Sequence, residues 1–208
     1  MKSTAQLFIF LLLGAMAISA SMHFLDEKVA LEIWHFTSSH QILNNKINKI
    51  PNTLPILVAV GTVFFWLAYY AVVHINGKTN HTQFIQLAAT SVPLAFLIKL
   101  FLQFAFGRSN IRLWLRVGGP IDFRWFNPVE NGGFPSGHAL VFTALFTAVW
   151  LHYPRYRPLS VAAVALLGAA LLLTSYHFVS DIIAGICCGI LITAGVHHFY
   201  AKYYRTSD

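Results

Sequence analysis

Charge is what this sequence has least of. Only 10% of its 208 residues are Asp, Glu, Lys or Arg, against about 25% in an ordinary soluble domain. Acids are the scarcer sign, with 7 Asp and Glu against 14 Lys and Arg. Together with 57% hydrophobic residues, this excludes a soluble domain. It predicts an all-α, polytopic membrane helix bundle, a single domain over residues 1–208. Cysteine is nearly absent: Cys187 and Cys188 adjoin in an apolar run. They offer neither a disulfide framework nor metal spacing and read as small packing residues. The 10 histidines are scattered without an HExxH-type pair, so no metal and no cofactor are predicted. His197-His198 reads as an interfacial polar patch. No basic run interleaves with aromatics, which excludes a nucleic-acid partner. The net charge of +7 suits anionic membrane lipids, phosphate, or a positive-inside topology.

What the chain does have is long apolar runs, about six of them near spanning length. Residues 7–20, continuing towards 25, form a first transmembrane helix or a signal-like segment, and the uncleaved helix is preferred. Asp26 is placed to cap an amphipathic interfacial helix through Phe36, and 44–52 reads as a loop. Further spans are predicted at 54–73, 84–106, 139–153, 159–176 and 182–199. The run at 139–153 is short and is extended by residues 136–138. Gly185 and Gly189 form a small-xxx-small face for close helix packing.

Two clusters break the apolar pattern. In Phe134-Pro-Ser-Gly-His138, Pro135 stops one structure and Ser136 caps the next. Gly137 bares its N–H and His138 brings a titratable ring, so a helix starting here aims donors and its positive dipole end at an anion. The plain alternative is a Pro-Ser-Gly turn with a chance histidine. In His177-Phe-Val-Ser-Asp181, four-residue spacing puts acid and imidazole on one helical face. The acid would then orient the ring and stabilise its charged form. An interfacial ion pair or an N-cap aspartate is the competing reading.

The 39 positions from His138 to His177 fit a helix across, a turn and a helix back, so topology brings the two clusters together. The short turns holding Lys78, Arg155 and Arg157 read as cytoplasmic. Arg108, both clusters and the loop with Arg112, Arg116, Arg124 and Glu130 then face outwards, on the periplasmic or extracytoplasmic side.

Gly107-Arg108, FPSGH and HxxxD, in this order and separated by these spans, resemble the type 2 phosphatidic acid phosphatase and vanadium haloperoxidase superfamily, in its membrane lipid phosphatase branch. The likeness covers residues 94–189. It implies a metal-independent hydrolysis of a lipid phosphate or pyrophosphate, such as phosphatidate, phosphatidylglycerol phosphate, a polyprenyl pyrophosphate or a lipid A phosphate. By the same resemblance His177 is the nucleophile that becomes a phosphohistidine, Asp181 its orienting acid, and His138 the general acid. Ser136, the Gly137 N–H and Arg108 bind phosphate.

The chain also departs from that family. Its first motif is Lys-x6-Arg-Pro, whereas Lys99 precedes Arg108 by nine positions and no proline follows. On one continuous helix those two would point to nearly opposite faces. Lys99 is therefore expected to snorkel or bond within the bundle, with Arg112 and Arg116, sharing a face if helical, as the supplementary phosphate ligands. Leu171 stands where the third motif carries arginine. A Phe-Gly-Arg form of the first motif occurs in some membrane members. The missing cations favour one alternative, a non-catalytic headgroup-binding member; another is a transporter or structural membrane protein in which Lys99, Asp181 and the histidines line a polar path.

Overall fold

The computed structural model describes residues 4–39, 53–126 and 132–205. The expected 44–52 loop and Glu130 lie outside them. Among the described residues eight α-helices follow in order: α1 Thr4–Phe24, α2 Asp26–Ser39, α3 Leu54–Asn76, α4 Asn80–Phe106, α5 Ile111–Val117, α6 Gly137–His152, α7 Arg157–Leu173 and α8 Val179–Arg205. Among the described residues, α1, α3, α4, α7 with its preceding 3-10 turn, and α8 are long and apolar enough to cross a membrane. The expected sixth span is α6, apolar but only 16 residues long. It is the helix that α4, α7 and α8 pack around, so its apolar faces meet protein.

Local signals set the ends. Thr79 and Thr82 form a reciprocal capping box at the start of α4, and Gly107 closes it in the left-handed region at φ 54°, where a Cβ is disfavoured. Ser136 caps α6, its hydroxyl accepting from the Ala139 N–H at 3.3 Å.

The packing follows from small residues. A Cβ on Gly185 would stand 2.6 Å from the Ser136 carbonyl oxygen, and one on Gly189 2.6 Å from that of Leu140. Helices α6 and α8 are therefore as close as backbones allow, the arrangement small-xxx-small spacing permits. Leu140 and Ala144 fill the seam with Val92 and Ala95 of α4. On the periphery α1 packs on α8, Gly14 lying beside Cys187. Leu12, Leu13, Phe64 and Leu67 of α1 and α3 point outwards, as lipid-facing residues do.

At one end of the bundle Asn80 donates to the His152 carbonyl at 3.0 Å and His81 meets the Tyr153 hydroxyl at 2.7 Å. At the other end the Ser136 N–H donates to the Asp181 carbonyl at 2.9 Å. That backbone bond joins the FPSGH stretch to the HxxxD stretch.

Candidate active site

Two adjoining compartments occupy that second end. The first is a cavity of about 290 Å³, walled by Leu54 and Pro55 of α3, Lys99 and Gln103 of α4, Asn110, Gly132, Gly137 and His138 of α6, and Tyr176 and His177 of the α7–α8 turn. Both histidines therefore look into one space. The α6 N-terminus opens into it at Gly137, where the first N–H groups of a helix have no intrahelical partner. Lys99 lies across this point: a Cβ on Gly137 would meet its Cε at 2.7 Å and its Cγ at 3.1 Å.

That placement corrects the expectation for Lys99. The opposite-face argument assumed an unbroken helix, but α4 stops at Phe106 and Gly107 turns the chain. Arg108 leaves the helix and pairs in an isolated β-bridge with Phe123. Lysine and arginine are thereby decoupled, and Lys99 keeps the cavity side.

The second compartment is closed to solvent. Arg108, 2% exposed, donates to Asp26 at 2.7 Å, to Asp181 at 2.5 Å and to the Ser180 hydroxyl at 2.7 Å. Its guanidinium also lies 4.6 Å from the Phe178 ring centre and 5.3 Å from that of Phe123, favourable cation–π geometry. The group expected to clamp phosphate is instead turned towards two buried acids and is absent from the cavity wall.

His177 and Asp181 meet where the compartments touch, but not on one helix face as expected. Helix α8 begins at Val179, so His177 precedes it and the contact spans a helix start. Asp181 Oδ2 accepts from the Phe178 N–H at 3.0 Å, so the acid also serves as an N-terminal cap. The same oxygen stands 3.5 Å from His177 Nδ1. This is ion-pair range, longer than a hydrogen bond, and Nδ1 is buried with no hydrogen-bond partner among the described residues. Catalytic hydrogen bonds are often long before substrate binds.

The remaining candidates take other places. Ser136 is fully buried, and its hydroxyl accepts the α6 cap bond. Arg112 and Arg116 do lie on a helix, α5. Arg112 donates to the carbonyls of Ser175 and Thr174 at 3.2 and 3.0 Å and faces the Tyr176 ring at 4.6 Å, which holds the turn carrying His177. Arg116 and Arg124 are exposed. Of the residues expected to bind phosphate, Gly137 alone lines the cavity among the described residues. Burial raises the Tyr176 phenol pKa, with Arg112 pulling the other way, and its ring stands edge-on to His138 at 5.7 Å.

Sequence reasoning missed Asp26 and Ser180 as neighbours of the site. A signal existed for Asp26 in its position directly after an apolar run. Its partners are 82 and 154 residues away, beyond any spacing rule.

A family profile described as "PAP2 superfamily" matches residues 56–205. The chain belongs to the PAP2 superfamily. Among curated proteins, a lipid A 1-phosphatase of Rhizobium etli is 40% identical over 67 residues, 31% of this chain and 29% of that protein. Its counterpart from Rhizobium johnstonii is 41% identical over 56 residues, 27% and 23% of the two chains. This PAP2 chain thus spans less than a third of the length of the curated relatives it matches. Among solved structures, a transmembrane PAP2-type phosphatidylglycerolphosphate phosphatase from Bacillus subtilis aligns over 95% of both chains, at 17% identity and a TM-score of 0.49.

Proposed function

We propose that this PAP2 protein is a membrane lipid phosphatase acting through a phosphohistidine at His177. The observation that carries the reading is the shared cavity: both histidines, Lys99 and the α6 N-terminus line one space beside Asp181. A phosphate seated there meets the Lys99 ammonium and the donors at the start of α6. His177 Nε2 attacks phosphorus, and the bond from phosphorus to the leaving oxygen breaks. His138 gives that oxygen its proton. Water then attacks the phosphohistidine, returning free histidine and inorganic phosphate. The buried Asp181 carboxylate stabilises the positive ring of the intermediate. Dispersed positive charge and positioning are what phosphoryl transfer chiefly needs.

The substrate class is a lipid phosphate, with phosphatidate, phosphatidylglycerol phosphate, polyprenyl pyrophosphate and lipid A 1-phosphate as the panel to test. The experiment is phosphate release from that panel in detergent without added metal. Turnover blocked by vanadate supports the reading. Tight binding without turnover supports a headgroup-binding member, which the loss of the third-motif arginine at Leu171 favours. The positive turn at Arg155 and Arg157 supports an outward site. A cysteine placed at Arg116, in a chain lacking Cys187 and Cys188, should react with an impermeant thiol reagent in intact cells. Labelling only after lysis reverses the orientation.

A further inference from the structure

Asp26 is 1% exposed and opens α2, yet its carboxylate makes its recorded bonds elsewhere. Oδ1 accepts from the Ser180 N–H at 2.9 Å. Oδ2 accepts from the Ser180 hydroxyl at 2.5 Å and from Arg108 at 2.7 Å. The backbone bond is the more telling one. The residue before α8 is Phe178, whose side chain has no acceptor to cap a helix start. Asp26, brought from α2, takes a free N–H of the first turn of α8 and faces its positive dipole end. Asp181 takes the N–H of Phe178, just before the helix. Two acids thus hold one helix start, and Arg108 lies between them.

A charge count shows what this does for the reaction. Arg108 carries one positive charge and contacts two carboxylates. If Asp181 were its only partner, the guanidinium would neutralise the acid that faces His177. With Asp26 present the buried set keeps one negative charge in excess, next to a ring that becomes cationic when phosphorylated. The geometry agrees. Arg108 and Ser180 are linked to Asp26, Arg108 holds Asp181 Oδ1, and Oδ2 is left towards His177 at 3.5 Å.

We infer that Asp26 is a positioning residue of the reaction: by engaging Arg108 and the start of α8, it keeps Asp181 oriented towards His177 and leaves the buried set one negative charge in excess. This rests on the phosphohistidine reading above. Asp26 does not line the cavity, so its effect falls on the chemical step and not on substrate capture.

The test compares kcat and KM of the full chain in detergent, using whichever lipid phosphate of the panel the unaltered protein turns over fastest. Asp26→Asn should lower kcat about tenfold or more with KM within about twofold. Asp26→Glu, which keeps the charge, should retain more kcat than Asp26→Asn. Single-turnover trapping should show slower phosphoenzyme formation in Asp26→Asn. If Asp26→Asn does not fold, judged by thermal unfolding, Ser180→Ala carries the same test, because it removes one link and leaves both acids. A threefold or larger fall in kcat at unchanged KM is then expected. A kcat within about twofold of the unaltered chain in the folded variant, or a loss confined to KM, overturns the inference. His177→Ala separates the two levels: if it stays active the phosphohistidine reading fails, and if it is dead while Asp26→Asn is normal this inference alone fails.

Discussion

The two compartments at the site end differ in where their charged groups point. In the buried set of Asp26, Arg108, Ser180 and Asp181 each charged group is held by at least two partners, while Arg108 Nε has no hydrogen-bond partner among the described residues. The cavity is lined by Lys99, lying over Gly137, by the N-terminus of α6 and by His138. Two cations nine residues apart were thereby given different tasks. Arg108 binds this protein's own carboxylates, and Lys99 faces the cavity in which the proposed function seats a phosphate. A buried ion pair is weak evidence for stability in itself, but this guanidinium is shared between the two acids that accept from the Phe178 and Ser180 N–H groups at the start of α8. Under the proposed function, preorganisation and substrate charge complementarity fall to adjacent sets of residues.

The largest effect that probes this separation is expected at the border. His177→Ala should reduce phosphate release about a thousandfold or more, as loss of a nucleophile does, with an unchanged thermal unfolding midpoint. Activity near that of the unaltered chain would remove His177 from the chemistry.

Arg108→Ala should act through stability. Removing one partner of a buried set leaves two carboxylates uncompensated, a cost of about 3–5 kcal/mol. A lower unfolding midpoint and a poor yield of folded protein are the readouts. A fully stable, inactive Arg108→Ala would place the guanidinium with the substrate after all.

His138→Ala should be selective. Proton donation contributes about a hundredfold or more where the leaving oxygen is a poor one. The loss should therefore be large for phosphatidate and small for an aryl phosphate, whose leaving group departs without a proton. Equal losses on both would assign the ring to binding.

The smallest effect is expected from Gly137→Ala. The new Cβ falls 2.7 Å from Lys99 Cε, the far end of a flexible side chain that moves aside. Turnover should fall about tenfold, in the range of a displaced electrostatic contact, without loss of stability. Gly185→Ala meets backbone at 2.6 Å and should instead lower the unfolding midpoint.

Much of this arrangement was legible before the fold was known. Apolar runs marked the spans because a lipid environment leaves long helices little alternative. Two crossings between His138 and His177 foretold their meeting, and Gly185 with Gly189 marked the α6–α8 seam. The cations were harder to read. The Lys99–Arg108 spacing was measured along a continuous helix although Gly107 signals its end, so the lysine was turned away from the site. Asp26, Arg108 and Ser180 meet only through tertiary packing, and no periodicity records an ion pair across 82 residues. The His177–Asp181 spacing pointed to the right neighbours through the wrong local geometry, since the two straddle a helix start.

The division between the two cations is tested most directly by vanadate inhibition, which reports how the site holds a phosphate-like anion. The measurement is the inhibition constant of folded Lys99→Met and folded Arg108→Lys, each with its unfolding midpoint. The account predicts that Lys99→Met weakens vanadate about tenfold or more at an unchanged midpoint. Arg108→Lys should lower the midpoint and keep vanadate affinity within about threefold. The reverse pattern, with vanadate lost in Arg108→Lys and retained in Lys99→Met, would contradict it.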